Sequence, residues 1–257
     1  MPKLKTAWSK LRWSLAQRGL GGTLRFAFQR AGQQSDDTKS QLHPFDERYS
    51  VDTSGLIGGG ELRSGHRNDV FTTAYYGMAP SRFQRVMEYW IADETHPALE
   101  NYSFVDLGCG KGRAVLMAST FRFREAVGVE LHSGLARIAD SNLAAWISAG
   151  RAICPVRIVC QDATEFVFPG GYCLLYLFNP FAAPVMKLLI ERIEAEFATR
   201  PGMLDVIYFN PESGQLLTEH RGFELLWTGT VQMSEEDAAA DHVASADDIC
   251  SVYRWVG

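Results

Sequence analysis

From Pro80 onwards the sequence alternates between short apolar runs and longer runs with helical periodicity. The apolar runs are continuous, as expected for strands that are buried on both faces, and they lie at 102–107, 126–130, 154–160, 173–179 and 203–210. Helix-like runs precede or separate most of them, at 82–92, 111–120, 131–149 and 184–198. Two strand-like runs, 222–231 and 248–257, end the chain with no convincing helix between them. This alternation predicts an α/β fold with a doubly wound sheet that is mostly parallel and closes with an antiparallel pair.

The amino-terminal region differs in charge from the rest of the chain. Residues 1–35 contain seven bases and no acid, which leaves 18 bases against 30 acids in the remaining residues. Apolar side chains recur among these bases at steps of three and four residues, as on an amphipathic helix: Leu4, Trp8, Leu11 and Leu15. We therefore predict that residues 1–40 form a basic helical arm and linker. Such an arm could bind nucleic acid, an anionic membrane surface or the acidic body itself.

Residues 41–80 are rich in glycine and in turn-forming residues. That composition predicts no regular structure, and long irregular segments of compact domains are usually functional or disordered. We predict a lid-like segment that closes over a ligand and excludes water. Residues 81–257 then form the main globular domain, which is long enough for one hydrophobic core.

The sequence lacks the signals of membrane insertion and of metal binding. No apolar run approaches the roughly 18 residues of a spanning helix, and the amino terminus has no uninterrupted apolar run ending in small residues. These features predict a cytoplasmic protein without a transmembrane segment. The five cysteines form no CxxC pair, which predicts free thiols and no metal site.

The run FVDLGCGKGR, residues 104–113, places three glycines and two bases directly after a strand. A phosphate-binding Walker loop needs GxxxxGK followed by Ser or Thr, whereas Lys111 is followed by Gly112. A dinucleotide fingerprint needs a third glycine at the position of Arg113, where close packing of the helix is required. The run therefore disfavours both a nucleotide phosphate and NAD.

The pattern that does fit is a strand, an acid and then GxGxG before a helix. Asp106 precedes the three glycines, Gly108, Gly110 and Gly112. Glycine lets the backbone turn sharply and approach a ligand without a Cβ atom, and a helix amino terminus offers free N–H groups. A carboxylate two residues before the first glycine would repel pyrophosphate but would suit a cationic or hydroxyl-bearing ligand.

Two more acids follow the next strands along the chain. Glu130 ends the second strand, where a carboxylate can accept two ribose hydroxyls, and Asp162 follows the third, where it could accept from an adenine amino group. Each could instead be an ordinary cap of the helical segment that follows it. Three acids at the carboxyl ends of three consecutive strands favour a shared ligand site.

These motifs resemble those of a known superfamily. FVDLGCGKGRAVLMAS, VGVELHSGLARIADSN and the turn at Asp162 resemble motifs I, II and III of the class I S-adenosylmethionine-dependent methyltransferases. The resemblance covers roughly residues 80–257 and implies a Rossmann-like, seven-stranded sheet with a reversed final strand pair. It also implies S-adenosylmethionine as the cofactor, with Asp106 and the glycines facing the methionine part, Glu130 the ribose and Asp162 the adenine.

A narrower resemblance rests on two further elements. FxDLGxGxGR together with GVE is similar to the Dot1-type histone-lysine methyltransferases and to a group of uncharacterised bacterial relatives. FDERYSVDTSG, residues 45–55, is similar to an FDxxYGVDTSG element of those bacterial proteins, with Ser50 in place of the glycine. The resemblance places the chain among methyltransferases whose acceptor is not specified by these motifs.

The fourth strand-like run ends in LYLFNPF, at the sheet edge where open α/β sheets bind ligands. We predict Asn179, Pro180 and Phe181 as its catalytic residues. They resemble the (D/N/S)PP(Y/F) motif of amino-methylating enzymes, although this sequence has one proline where that motif has two. They also resemble the NNFAF-like element of Dot1-type enzymes, in which an asparagine stands at the position of Pro180. In the amino-methylating motif the Asn oxygen and a backbone carbonyl accept from the target NH2. The resemblance implies a nitrogen acceptor, either protein lysine or another amine.

Other interpretations stay open at this stage. Asn179 and Pro180 could merely end a strand, since the fifth strand ends in the same way at YFNP. The chain could be a non-catalytic interaction module that binds an adenosyl ligand, or an O-methyltransferase acting on a small molecule or a glycan. Asp106 and Arg113 disfavour an NAD-dependent oxidoreductase. Methyl transfer needs positioning more than a base, so the lack of an obvious catalytic histidine does not count against it.

Some aromatic side chains lie near the predicted mouth of this site. Tyr75 and Tyr76 are predicted to wall the donor pocket, although ordinary core packing is as frequent for such residues. His43, His66 and His132 are predicted to be surface or capping residues rather than bases.

Overall fold

The computed structural model describes residues 42–93, 95–240 and 248–257. The predicted basic arm and linker at 1–40 lie outside the described residues, so the helical arm and its binding to nucleic acid or an anionic membrane stay predictions. Within the described part, none of the helices combines the length and apolar composition that crossing a bilayer requires.

The described residues contain α-helices and strands in a regular order. The helices are α1 Pro44–Tyr49, α2 Pro80–Ile91, α3 Arg113–Ala118, α4 Ser133–Ser148, α5 Ala183–Phe197, α6 Gln215–Thr218 and α7 Glu235–Ala240. The strands are β1 Leu56–Ile57, β2 Tyr75–Tyr76, β3 Tyr102–Leu107, β4 Glu125–Glu130, β5 Val156–Cys160, β6 Tyr172–Phe178, β7 Leu204–Phe209, β8 Phe223–Thr230 and β9 Ile249–Trp255. Single turns of 3-10 helix lie at Arg67–Phe71, Leu99–Asn101 and Ala163–Glu165.

Seven strands form the main sheet in the order β5-β4-β3-β6-β7-β9-β8. Strands β3 to β7 are parallel to one another, and β9 runs antiparallel to both β7 and β8. This arrangement confirms the predicted doubly wound seven-stranded sheet with a reversed final pair. The strand order reverses between β3 and β6, which is where open α/β sheets bind their ligands.

The inner parallel strands of the sheet are buried on both faces, which explains their continuous apolar runs. Val105, Val127 and Leu175 lie in the cluster on one face, where helix α5 packs. Phe104 and Ile207 lie in the cluster on the other face, which includes residues of α2 and α3. Because successive side chains of a strand point to opposite faces, both clusters are built from the same strands.

The segment at 42–80 differs from the predicted irregular lid. It contains α1, a 3-10 turn and the two-stranded antiparallel sheet β1-β2, and it belongs to one compact unit with the rest of residues 42–257. Pro44 begins α1, and the His43 side chain accepts a hydrogen bond from the Phe45 N–H at 3.1 Å. The prediction that this segment lacks regular structure is therefore wrong, and its role as a lid stays a prediction.

Helix α7 lies where no helix was predicted, between β8 and β9. Its first turn is acidic, and the buried Asp237 side chain accepts from the Ser81 N–H at 2.7 Å. Ser234 Oγ accepts from the Asp237 N–H at 3.2 Å, which is a helix cap. The acidic composition of this segment suggested a loop. The bond that holds the helix comes from Ser81, 156 residues away in the chain, and no local pattern indicates it.

Candidate functional site

A cavity of about 100 Å³ lies along the carboxyl ends of β5, β4, β3 and β6. Asp106, Gly108, Gly110, Glu130 and Asp162 line it, as the strand ends predicted. The strip of chain at 72–78 forms its opposite wall. The structure thus brings together five of the six predicted cofactor-binding residues, and the sixth, Gly112, does not line the cavity.

The glycine loop adopts the left-handed backbone that only glycine takes without strain. The φ angles are 80° at Gly108, 56° at Gly110 and 88° at Gly112. A Cβ atom on Gly108 would lie 2.5 Å from Pro180 Cβ, and one on Gly110 would lie 2.2 Å from the Tyr75 ring. Gly112 is the N-cap of α3 and faces α4 instead of the cavity. The lack of a Cβ atom therefore lets Pro180 and Tyr75 pack closely against Gly108 and Gly110, and lets helix α4 pack against Gly112.

The carboxyl group of Asp106 is buried, and no hydrogen bond to it is found among the described residues. Within the sheet Asp106 is the register partner of Gly128 on β4 and of Tyr176 on β6. Burial raises the pKa of Asp106 well above its ordinary value, and the nearby carboxylate of Glu130 raises it further. A buried carboxyl without a partner is costly, and a positively charged ligand would satisfy it.

The carboxylate of Glu130 fixes the glycine loop. Oε2 accepts from the Gly110 N–H at 2.8 Å, and Oε1 accepts from the His132 N–H at 2.8 Å. Burial raises the pKa of Glu130, although these two hydrogen bonds act in the opposite direction. A carboxylate has about four acceptor positions, so both oxygens can still accept from a ligand hydroxyl.

Asp162 caps the helical turn that follows it, which was the alternative interpretation of this residue. Its Oδ1 accepts from the Thr164 N–H and hydroxyl, both at 2.8 Å, at the start of the 3-10 turn Ala163–Glu165. Its Oδ2 accepts from Asn68 Nδ2 at 2.7 Å and lies 3.4 Å from His66 Nδ1. Capping does not remove Asp162 from the cavity, and Asn68 lines the cavity beside it.

The two bases of the loop form hydrogen bonds with the segment 45–55. Lys111 Nζ donates to Asp52 Oδ1 at 2.6 Å and to the Ser54 carbonyl at 2.8 Å. Arg113 Nε donates to Thr53 Oγ1 at 2.6 Å, and its Nη1 donates to the Met78 carbonyl at 3.0 Å. These bonds explain why a loop with two bases need not hold a phosphate.

Asp46 completes this connection and was missed as a site-supporting residue. Its buried carboxylate accepts from the N–H groups of Thr53 at 2.7 Å and Ser54 at 2.6 Å, and also from the Thr53 hydroxyl. Arg113 Nη2 lies 3.6 Å from Asp46 Oδ1. The similarity of FDERYSVDTSG to a bacterial element was the only sequence signal for this residue.

Of the three predicted catalytic residues, Pro180 and Phe181 line the cavity and Asn179 does not. Asn179 has a left-handed φ of 43°, and its Oδ1 is 3.4 Å from the Tyr208 hydroxyl. Its carbonyl accepts from the Thr73 hydroxyl at 2.7 Å, and the Pro180 carbonyl accepts from the Thr73 N–H at 3.3 Å. The atoms predicted to accept from a target NH2 therefore each have one partner within the protein, and the role of Asn179 stays a prediction.

The aromatic and histidine residues near the mouth lie as follows. Tyr75 and Tyr76 both line the cavity. His43, His66 and His132 each accept a backbone N–H at the start of a helical segment, at 3.1, 3.2 and 3.3 Å. The interpretation of these histidines as capping residues is confirmed.

The described part of the chain offers no metal centre. It contains no group of three His, Cys, Asp or Glu side chains that is placed to hold a metal ion. The five cysteines are free thiols, and Cys160 is the exposed one.

Comparisons with known proteins give likenesses to solved structures alone. No protein-family model matches the chain, and no curated protein matches it. A putative methylase from Haemophilus influenzae is similar at 14% identity over 68% of this chain and 99% of that one, with a TM-score of 0.48. An S-adenosylmethionine-dependent methyltransferase from Clostridium acetobutylicum is similar at 10% identity over 70% and 93%, with a TM-score of 0.48.

A third similar structure is magnesium protoporphyrin IX methyltransferase from Synechocystis with bound S-adenosylmethionine, at 13% identity over 67% of this chain and 77% of that one, with a TM-score of 0.45. At such identities and TM-scores these likenesses carry no conclusion about a ligand, a substrate or a site residue of this chain. The narrower resemblance to Dot1-type enzymes gains no support from them.

Proposed function

We propose that the chain is an S-adenosylmethionine-dependent methyltransferase. The observation that carries the proposal is the meeting of Asp106, Glu130 and Asp162 in one cavity with Gly108 and Gly110. Each acid comes from the carboxyl end of a different strand, so the fold assembles them from distant parts of the sequence. Carboxylates at these points suit a ligand with hydroxyl groups and positive charge.

The residues present fit S-adenosylmethionine better than a phosphate-containing nucleotide. The buried carboxyl of Asp106 lacks a positive partner, and the donor carries both a sulfonium and an ammonium group. Phosphate would instead meet three carboxylates, while Arg113 already bonds to Thr53 and Met78. Glu130 retains acceptor positions for the two ribose hydroxyls.

Asp162 and Asn68 would hold the adenine. Asn68 Nδ2 donates to Asp162 at 2.7 Å, so the adenine amino group would use a remaining lone pair of that carboxylate or replace Asn68. The cavity of about 100 Å³ is smaller than the roughly 300 Å³ at which ligand pockets usually begin. The wall at 72–78 would therefore have to move outwards when the ligand binds. A wall that moves on binding is consistent with the proposed lid role of the segment 41–80.

The bound donor supplies a methyl group on a positively charged sulfur, which an acceptor lone pair can attack. The attack would break the carbon–sulfur bond, whose electron pair would stay on sulfur, so that S-adenosylhomocysteine would be the leaving group. Pro180 and Phe181 lie at the β6 end of the cavity and would enclose the methyl group. Holding donor and acceptor in line supplies most of the acceleration.

A nitrogen acceptor is the preferred class, on the resemblance of NPF to amino-methylating motifs and on the acidic lining of the cavity. The attacking amine must be neutral, and the methylated product releases one proton to solvent. O-methylation of a small molecule or a glycan is the alternative reaction, and a non-catalytic adenosyl-ligand module is the alternative without turnover.

Calorimetry with S-adenosylmethionine, S-adenosylhomocysteine and NADH tests the donor site. We expect micromolar binding of both adenosyl ligands and no binding of NADH. Binding of NADH alone would refute the assignment of the cavity. Binding of the adenosyl ligands without transfer to any acceptor in a panel of amines, alcohols and proteins would favour the non-catalytic module.

A further inference from the structure

Two buried tyrosine hydroxyls in the cavity have no hydrogen-bond partner among the described residues. They are the Oη atoms of Tyr76 and Tyr176, and both residues line the cavity. A buried polar atom without a partner is destabilising, and native proteins keep few of them. Such atoms in a cavity wall point to a ligand that supplies the missing bonds.

Both hydroxyls belong to the β6 end of the cavity. Tyr176 is the register partner of Asp106, and Phe178 follows it on the same face of β6. The Tyr76 ring lies 6.1 Å from the Phe178 ring, centroid to centroid. Glu130 ends β4 and Asp162 follows β5, on the other side of β3 from β6. The tyrosines therefore lie beyond the residues assigned to the nucleoside.

The predicted acceptor-binding atoms at this end already have partners within the protein. Thr73 donates to the carbonyls of both Asn179 and Pro180, and Asn179 does not line the cavity. The Tyr75 hydroxyl has a partner, because it donates to the Thr53 carbonyl at 2.7 Å. Among the described tyrosines that line the cavity, Tyr76 and Tyr176 are the two whose buried hydroxyls have no partner.

We propose that Tyr76 and Tyr176 form the acceptor subsite and select a neutral primary amine. This inference rests on the proposed methyltransferase function. A phenol oxygen can accept a hydrogen bond, so the two oxygens can take two N–H groups and leave the nitrogen lone pair free for the methyl group. An alcohol has one hydrogen to donate, so the second tyrosine would donate to the alcohol oxygen and make that oxygen a weaker nucleophile.

The charge of the cavity supports the same class of acceptor. Asp106, Glu130 and Asp162 supply three carboxyl groups, and Arg113 is the only Lys or Arg among the lining residues. Since Arg113 bonds to Thr53 and Met78, the described lining residues offer no free cation to an anionic acceptor. The aromatic walls and two hydroxyls match a small amine on an apolar stem.

The first test measures stability without any ligand. Tyr76→Phe and Tyr176→Phe remove hydroxyls that have no protein partner, so the apparent melting temperature should stay the same or rise. Tyr75→Phe is the matched comparison, because its hydroxyl is bonded at 2.7 Å and its loss should lower the melting temperature. A fall for Tyr76→Phe or Tyr176→Phe as large as that for Tyr75→Phe would mean that the hydroxyl serves the fold, and would overturn the subsite.

The second test separates acceptor recognition from donor binding. Transfer of a labelled methyl group is followed with benzylamine, benzyl alcohol and benzoate as probes. We expect transfer to benzylamine alone, and a tenfold or greater loss of kcat/KM in Tyr76→Phe and Tyr176→Phe. Tyr253→Phe, a buried tyrosine outside the cavity lining, should keep the original rate. Calorimetry should give a donor Kd within twofold of the original in all three variants.

The outcomes distinguish this inference from the proposed function. Transfer to benzyl alcohol or benzoate but not to benzylamine, or to no probe, overturns the amine subsite while the donor site stands if the donor binds. Unchanged amine transfer in both tyrosine variants overturns the role of the hydroxyls. Failure of the unmodified protein to bind the donor removes the proposed function, and the subsite with it.

Discussion

Alanine at Gly110 should destabilise the protein by about 2–5 kcal/mol. The residue has a φ of 56°, and a left-handed conformation costs about 1–2 kcal/mol for a residue with a Cβ atom. The new Cβ would also lie 2.2 Å from Tyr75 Cε2 and 2.3 Å from Cδ2, which is far inside van der Waals contact. Overpacking of this kind typically costs about 1–3 kcal/mol.

The Tyr75 ring cannot simply turn away from the new methyl group. It is buried, and its hydroxyl donates to the Thr53 carbonyl at 2.7 Å. Thr53 is itself fixed, since its N–H donates to Asp46 and its hydroxyl accepts from Arg113. Movement of the ring would therefore break bonds in a buried network, which is why the whole cost should appear in the free energy of unfolding.

Equilibrium urea denaturation of the original protein and four variants separates the two contributions. Gly150→Ala is the control for backbone strain alone, because Gly150 has a φ of 67° and no atom lies within 4 Å of its added Cβ. Its cost should be about 1–2 kcal/mol. Tyr75→Ala removes the ring, so Gly110→Ala in that background should cost no more than Gly150→Ala. Equal costs for Gly110→Ala and Gly150→Ala in the original protein would refute the packing argument.

Three further predictions concern charge and the 43–69 segment. Burial raises the pKa of Asp106, so above about pH 4 the folded state binds more protons than the unfolded chain, and stability falls as pH rises through that raised pKa. Burial raises the pKa of Glu130 as well, so Asp106→Asn should weaken this pH dependence without removing it, and should increase stability at pH 8 in urea denaturation. An unchanged profile would contradict the prediction. Arg113→Met leaves the buried Asp46 without its cation and should cost about 3–5 kcal/mol by the same measurement, whereas Arg137→Met on the exposed face of α4 should cost almost nothing. Deleting residues 43–69 should unfold the domain, because the segment is bonded to Lys111 and Arg113 of the glycine loop. Retained near-ultraviolet circular dichroism would show that the segment is dispensable.

The sequence predicted the features that depend on local patterns. Continuous apolar runs identified the seven strands because strands buried on both faces contain few polar residues. The acids Asp106, Glu130 and Asp162 could be placed at one edge because parallel strands end on the same side of the sheet. The spacing of the glycines predicted the sharp turn because glycine adopts positive φ angles readily, as it does at Gly108 and Gly110, whatever its tertiary contacts.

The features that the sequence did not predict depend on distant partners. Asp52 is held by Asn142, 90 residues away, and Arg113 Nε donates to Thr53, 60 residues away. No local pattern indicates that these bonds order the glycine-rich segment. The same holds for Asn179, whose carbonyl accepts from Thr73, 106 residues earlier in the chain. A motif of three residues could suggest a role for Asn179 but not show that its atoms were already bonded.

The glycine loop and the segment 45–55 act together in setting the charge of the site. Lys111 pairs with Asp52, and Arg113 lies among Asp46, Thr53 and Ser54, so the positive charges of the loop are used within the protein. The carboxyl group of Asp106 keeps no such partner. The cavity is therefore acidic, although the glycine loop that borders it contains two bases. An acidic cavity without a free base favours a cationic ligand over a phosphate. Charge selectivity is then a property of the segment 45–55 as much as of the loop, because removing Asp46 or Asp52 would free a cation beside the donor.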